Sequence, residues 1–183
     1  MSYHLKMKTD RKPKILIVDT SAILSGKPLD FKDFKIVTAP GIKKELKPGG
    51  RDYRSFEFLI EKGLTIYSPS KESIKKMNGM SKKTGDIGRL SETDLEILAI
   101  AFEIKERDIE EPIILTDDYS IQNVAQTYNI RFETISQKGI TKRFKWNFIC
   151  RGCGKKFKDN IKFCPICGAQ IKNVVTGKKD IKK

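Results

Sequence analysis

Residues 15–24 read ILIVDTSAIL. Four apolar residues, Ile15 to Val18, run straight into Asp19, Thr20 and Ser21. A short unbroken run of β-favouring residues is the pattern of a strand buried on both faces, as in a parallel sheet. Asp19 then falls at the strand's C-terminal end, where open α/β sheets collect their ligands. A carboxylate there is costly to bury unless something cationic pairs with it. Elsewhere the chain supplies acidic companions for it: Glu45, Asp94, Asp117 and Asp118.

Strands and helices alternate outward from this stretch. Thr20 to Ser25 starts a short helix that Gly26-Lys27-Pro28 stops. IVT at 36–38 is a second strand, and Pro40 introduces the helix GIKKEL (41–46), which carries Glu45. Residues 52–62 place Tyr53, Phe56, Leu59 and Ile60 at helical spacing before LTIY (64–67), a third strand. The segment from Asn78 to Gly88 has three glycines and no periodic apolar face, so it reads as a mobile loop. Lys82 and Lys83 within it are candidate guides for a nucleic-acid strand. Ser91 opens the clearest helix, with Leu95, Leu98, Ala99 and Phe102 on one face and Asp94 completing a capping box. IILT (113–116) is another buried strand, followed by Asp117-Asp118, a helix from Tyr119 to Tyr128, and a last strand at 132–135. This alternation predicts a three-layer α/β sandwich with a mostly parallel sheet.

The 183 residues suffice for one modest domain and a small appendage. The net charge of +14 is unevenly placed. Residues 1–135 net +2, whereas residues 136–183 hold 14 basic and 2 acidic residues and net +12. A basic excess confined to one part favours a polyanionic partner, nucleic acid before membrane surface. No apolar run approaches the ~20 residues of a membrane span. The first residues have no apolar core and do not read as a secretory signal, so a cytoplasmic protein is expected. The expected organisation is a flexible tail (1–13), a larger domain (14–135), a linker (136–144), a small unit (145–175) and a flexible basic tail (176–183). His4, the only histidine, lies in the first tail and is assigned no role.

Each acidic residue has a plain structural reading as a cap, a turn or a surface charge. Together they say more. Asp19 and Asp117 follow separate buried strands at the same end of a parallel sheet, while Asp94 and Glu45 sit on helices. Such a cluster repels itself unless a divalent cation neutralises it. Oxygen-only ligands suit Mg²⁺ or Mn²⁺, and metal-assisted phosphodiester hydrolysis follows. A phosphatase using a strand-end aspartate nucleophile would usually carry a second aspartate at position 21, where this chain has Ser21.

IVDTSAIL, the GIKKEL glutamate, LSETDLEILAIAF and IILTDDYSIQNVA resemble, in order, the motifs of PIN-domain ribonucleases. The resemblance covers roughly residues 14–135. It implies a PIN-like α/β/α fold and catalytic, metal-binding roles for Asp19, Glu45, Asp94 and Asp117 or Asp118. It also implies supporting roles for the Ser21 and Thr116 hydroxyls. Which aspartate of the doublet faces the metal stays open.

All four cysteines lie in two Cys-x-x-Cys knuckles, Cys150/Cys153 and Cys164/Cys167, ten residues apart. Four thiolates at this spacing make a closed tetrahedral zinc site with a structural role; iron is the alternative, and disulfides are disfavoured without an export signal. A unit of about 30 residues needs such a staple to fold. Basic and aromatic residues crowd its first knuckle: Lys142, Arg143, Phe144, Lys145, Trp146, Phe148, Arg151, Lys155, Lys156 and Phe157. Lysines neutralise phosphates and bases stack on aromatics, although some of these rings must serve as the ribbon's own core.

A PIN-like domain followed by FKWNFICRGCGKKF and FCPICG resembles a narrower family. Its members are archaeal and eukaryotic endonucleases that trim the 3′ end of small-subunit ribosomal RNA during ribosome maturation. The resemblance implies precursor rRNA within a small-subunit particle as substrate, and Mn²⁺ or Mg²⁺ as the nuclease metal. The compact length looks archaeal. Two other readings are a non-catalytic RNA-binding assembly factor and a toxin-type PIN ribonuclease acting on another RNA; toxins of that type normally lack the ribbon.

Overall fold

The computed structural model describes residues 12–86, 88–135, 142–157 and 161–180, with side chains for all but 142–146 and 178–180. The larger unit runs β1 (Lys14–Val18), α1 (Thr20–Leu24), β2 (Lys35–Thr38), α2 (Ile42–Glu45), α3 (Arg51–Glu61), β3 (Thr65–Ile66), α4 (Lys71–Thr84), α5 (Glu92–Arg107), β4 (Glu111–Leu115), α6 (Tyr119–Thr127) and β5 (Arg131–Glu133). Its five strands lie in the order β3-β2-β1-β4-β5 and pair in parallel throughout. β1 is central, with Leu16 beside Ile36 on one side and Ile113 on the other. Ile15 to Val18 are all buried, which accounts for the unbroken apolar run.

The chain steps outward from β1 to β3, then returns to the other side of β1 for β4 and β5. Right-handed crossovers in opposite directions put helices on both faces of the sheet. They also create a switch point between β1 and β4, where adjacent strand ends lead away to opposite sides. Asp19 follows β1, and Thr116, Asp117 and Asp118 follow β4. Pairing these two strands therefore brings together residues about a hundred positions apart, and the Asp19 N–H extends the ladder by donating to the Leu115 carbonyl at 3.2 Å.

Helix α5 was expected to bury one face. Instead Leu95, Ile97, Leu98, Ala99, Ile100, Ala101 and Ile104 are all buried. It packs against β1 and β4 and also against α4 and α6, so it is enclosed and its apolar residues run nearly all round. α3 buries Phe56, half-buries Tyr53 and Leu59, and leaves Ile60 exposed.

The loop expected from Asn78 is corrected. Helix α4 continues to Thr84, and Gly85 ends it in the left-handed conformation (φ 84°). Its inward face is Met77, Ser81 and Thr84. Two small polar residues at helical spacing do not register as an apolar stripe, yet both are buried where α4 packs on its neighbours. Lys82 and Lys83 thus occupy the helix's last turn, both exposed, rather than a loop.

The smaller unit is a three-stranded antiparallel sheet, in the order β7-β6-β8, of β6 (Lys142–Cys150), β7 (Lys156–Phe157) and β8 (Ile171–Asp180). Both expected boundaries shift. β6 begins at Lys142, inside the expected linker, and β8 runs to Asp180, inside the expected tail, because Lys142 pairs with Asp180. A hydrogen-bonded partner strand is what orders these residues. The tail expected at 1–13 lies outside the described residues except for Lys12 and Pro13. Among the described residues no helix is long and apolar enough to cross a membrane.

Gly79 sits inside α4, and a Cβ added there meets nothing within 4 Å. Gly79→Ala should therefore stabilise the protein by about 0.5–1 kcal/mol, raising the melting temperature by about 1–4 °C. Thermal unfolding checks this; a flexible loop at this position would give no such gain.

Candidate active site and metal centre

Asp19 is 5% exposed and holds the N-cap of α1. Its Oδ1 accepts the Thr20 N–H at 2.6 Å, and its Oδ2 accepts the Ser21 and Thr116 hydroxyls at 3.0 and 2.8 Å. Burial raises its pKa; these three donors act against the rise, while the charge of Asp118 adds to it. Ser21 and Thr116 are used twice. Ser21 Oγ accepts the Asp117 N–H at 3.1 Å, and Thr116 Oγ1 accepts the Asp118 N–H at 3.0 Å. Two hydroxyls thereby tie the backbone of the acidic doublet to the carboxylate of the first motif.

Asp94 does close the capping box, accepting the Ser91 N–H at 2.7 Å. It also belongs to the acidic group. Its pKa rises from 3.8 to about 6, chiefly through burial, with Asp19 and Asp118 adding to the shift against the Ser91 hydrogen bonds. The two roles expected as alternatives are therefore filled by one side chain. Glu45 is exposed and accepts the Thr20 hydroxyl at 2.6 Å. Its helix is placed by Gly41, whose N–H donates to Glu96 at 2.8 Å; a Cβ at Gly41 would lie 2.5 Å from the Thr93 hydroxyl oxygen. Only glycine lets α2 approach the first turn of α5 this closely.

The doublet divides. Asp117 Oδ1 accepts the Ile135 N–H at 2.9 Å. Asp118 caps α6, accepting the Ser120 and Ile121 N–H groups at 2.6 and 3.3 Å, and its charge reaches Asp19, Asp86 and Asp94. Of the doublet, whose metal-facing member the sequence leaves open, Asp118 is the one whose charge acts on Asp19 and Asp94, while Asp117 is engaged by the Ile135 N–H just beyond β5.

Sequence reading missed three residues around this group: Glu96, Asp86 and Asn123. Asp86 is fully buried, accepts the Asn123 amide at 2.8 Å on Oδ2, and has no partner for Oδ1. Burial raises its pKa. Nothing in the local pattern marks these contacts, which span 37 residues in one case and 55 in the other.

Among the described residues, the one group of three or more ligand atoms lying within 4.8 Å of one another is the four cysteine sulfurs. The carboxylates act on each other through charge at longer range. Cys150 and Cys167 sulfurs are 3.3 Å apart, and Cys153 and Cys164 sulfurs 3.7 Å. Backbone N–H groups of Gly152 and Cys153 point at Cys150 Sγ, and that of Ile166 at Cys164 Sγ. Such donors favour thiolate, and those at Cys150, foremost the Cys153 N–H, lower its pKa to about 6. Gly154 and Gly168 both have φ 71°. Gly152 answers a different need: a Cβ there would lie 2.9 Å from Ala169 Cβ and 3.2 Å from Cys167 Sγ. Four converging sulfurs fit a thiophilic ion such as zinc; the oxygen donors fit a hard divalent cation.

Of the candidate RNA-contacting residues, Arg151, Lys155 and Lys156 are exposed. Phe148 is corrected: it is 1% exposed and pairs with Phe157 across β6 and β7, so it is core and not a stacking platform. The side chains of Lys142, Arg143, Lys145 and Trp146 lie outside the described residues. The second knuckle contributes features not anticipated. Phe163 and Ile166 are more than half exposed, and the Lys162 ammonium stands 5.8 Å from the Phe163 ring centre.

Comparison with known proteins adds to this geometry. Residues 16–104 match the family model described as the PIN domain of ribonuclease. The chain is 38% identical to the endoribonuclease Nob1 of Pyrococcus abyssi over 86% of its own length and 91% of that protein. It is 37% identical to the Archaeoglobus fulgidus endoribonuclease Nob1, over 86% and 89% of the two chains. The ribonuclease VapC1 of Thermoplasma acidophilum is 35% identical over 86% of this chain and 77% of its own.

Two outcomes follow from the site itself. The folded protein retains a proton on Asp94 between pH 3.8 and about 6, where the unfolded chain has lost it. Without divalent cation, stability should fall as pH rises through that interval. Asp94→Asn should reduce the fall without removing it, since burial raises Asp19 and Asp86 as well; urea midpoints in chelator check this. If the four sulfurs hold a zinc ion, Cys150→Ser should abolish its binding and unfold residues 142–180 while the larger unit, which has its own core, stays folded. Metal analysis and amide NMR dispersion decide the point.

Proposed function

The chain belongs to the family of PIN-domain endoribonucleases that includes the archaeal Nob1 proteins, and from that membership we propose that it cuts precursor small-subunit ribosomal RNA near its 3′ end during ribosome maturation in the cytoplasm. The observation that carries the nuclease reading is the Asp19 centre. A buried carboxylate takes three donors at the sheet's switch point, the charge of Asp118 raises the proton affinity of both Asp19 and Asp94, and that of Asp19 adds to the rise at Asp94. This is the donor chemistry of a hard divalent cation, Mn²⁺ or Mg²⁺, with Asp19, Asp94, Asp118 and Glu45 as the residues that would hold it. When bound, such an ion supplies an activated water and stabilises charge on the attacking and leaving oxygens of the phosphodiester.

The chain's own residues have distinct tasks. Asp19 fixes the centre, and Ser21 and Thr116 orient its Oδ2 by donating to it. Asp118 is held rigid by the first turn of α6, and Asp94 by its capping box. Glu45 is the exposed member, kept in place by the Thr20 hydroxyl. The four cysteines hold a structural Zn²⁺ that folds the ribbon. Arg151, Lys155 and Lys156, together with Lys142, Arg143, Lys145 and Trp146, grip the RNA, and Lys82 and Lys83, exposed on α4, add further phosphate contacts. The likeness to the Thermoplasma ribonuclease supports the nuclease class without choosing an RNA; the ribbon favours ribosomal RNA over a toxin's target. The intact acidic set disfavours a non-catalytic assembly factor.

The test is cleavage of an RNA spanning a small-subunit 3′ end, with Mn²⁺ or with chelator. Wild type should cut only with the ion. Asp19→Asn and Asp118→Asn should abolish cutting and the Mn²⁺-induced rise in melting temperature. Asp117→Asn should retain both, because its amide oxygen can still accept the Ile135 N–H. Ser21→Ala should weaken the Mn²⁺ response by about 10–100-fold in apparent affinity, as expected for loss of a ligand's orienting partner. Equal activity in the Asp118 variant and wild type would refute the assignment.

A further inference from the structure

Away from the acidic centre, a groove of about 800 Å³ opens between α1, the turn that follows it, and α3. Ile23, Leu29 and Leu59 supply aliphatic lining, with Ile23 deepest at 2% exposed. Phe58 also lines it and is 56% exposed, an uncommon position for so large an apolar side chain. Four cations line the same groove: Lys27, Arg51, Arg54 and Lys62. No carboxylate lines it. Among the described residues none of the four cations makes an ion pair.

An apolar trough edged by unpaired cations calls for an occupant that is apolar on one side and anionic on the other. Two classes of macromolecule meet that description in part. Single-stranded RNA would bring phosphates, but its bases need open aromatic faces. Here the Lys62 ammonium already stands 5.3 Å from the Phe58 ring centre, the second ring, Phe31, is half-buried against the core, and the rest of the apolar lining is Ile23, Leu29 and Leu59. Aliphatic pockets take aliphatic side chains, as when an amphipathic segment lays its apolar face into a groove. We propose that this groove docks an acidic amphipathic segment of a partner protein, its apolar side chains over Ile23 and Leu59 and its carboxylates on Arg51, Arg54 and Lys62.

The groove is structurally linked to the acidic centre without being part of it. α1, which contributes Ile23, begins at Thr20, the donor to Glu45. Lys27 donates to the carbonyl of Ile135, whose N–H holds Asp117. A segment seated here would therefore press on two elements that position acidic side chains. The docking proposal stands on the groove's own lining and does not depend on which RNA the protein cuts.

The test pans a random peptide library displayed on phage against the full chain. Peptides that bind are then synthesised and titrated against wild type and Arg51→Glu/Arg54→Glu, both shown to have the same melting temperature. The expected result is enrichment of sequences combining Asp or Glu with Leu, Ile or Phe, and binding weakened by at least about tenfold in the double variant. Amide shifts should concentrate at 23–31 and 51–62, and Phe58→Ser should weaken the same peptides. Enrichment without acidic residues, or binding indifferent to the charge reversal, overturns the proposal. An oligouridine arm separates the other class: oligouridine binding lost in the double variant, with no groove-dependent peptide, would make the groove an RNA subsite and also overturn it.

Discussion

The larger unit is built around one anion placed where water scarcely reaches. Burying the Asp19 carboxylate is tolerable only because the Thr20 N–H and the Ser21 and Thr116 hydroxyls meet it. Those donors come from both sides of the β1–β4 junction, so the carboxylate is satisfied only when the two strands pair in register. The same hydroxyls accept the N–H groups of Asp117 and Asp118. The hydrogen-bond set that makes the buried charge tolerable thus also positions the loop that brings further charge beside it. Stability and function are in tension here: burial and neighbouring carboxylates raise the proton affinity of Asp94, and a proton or a cation among its members relieves the set.

What could be read from sequence divides along physical lines. Strand β1 and the ends of β1 and β4 were legible because a strand buried on both faces leaves an unbroken apolar run, and the acidic residue ending it stands out. The capping box of Asp94 was legible because it is local. The choice between Asp117 and Asp118 was not, since it depends on the Ile135 N–H, 18 residues away, and on the needs of α6. Glu96 and Gly41 were invisible for the same reason. Helix α4 was hidden by its own means of packing, because Ser81 and Thr84 look polar in a sequence whether or not they face inward. In the ribbon the cysteine spacing was decisive, while the division of aromatics between core and surface was not: Phe148 is enclosed and Phe163, on the other knuckle, is open.

The protein also separates its charges by task. The acidic residues gather at the switch point of the larger sheet, and the tail-end unit carries nearly all the net positive charge. A uniformly basic nuclease would hold RNA everywhere, including on its own metal site. Here the residues around Asp19 stay locally acidic, as a site for a small cation requires, while most of the net positive charge stands in the unit beyond.

The order of strands has a consequence for how the molecule comes into being. β1 is among the first structured segments to be synthesised, yet its neighbour β4 emerges almost a hundred residues later. Until then Asp19 has neither the Thr116 hydroxyl nor Asp118 beside it, and the first acidic motif is an unassembled strand end. Such long-range parallel pairing is slow to form because loop closure precedes any gain from contact. A nascent or truncated chain ending before β4 therefore lacks the Thr116 hydroxyl and the Asp118 carboxylate of the proposed centre, however many of its other acidic residues have been made. In a molecule synthesised on ribosomes, the non-local pairing leaves the acidic group unassembled until the sheet is complete.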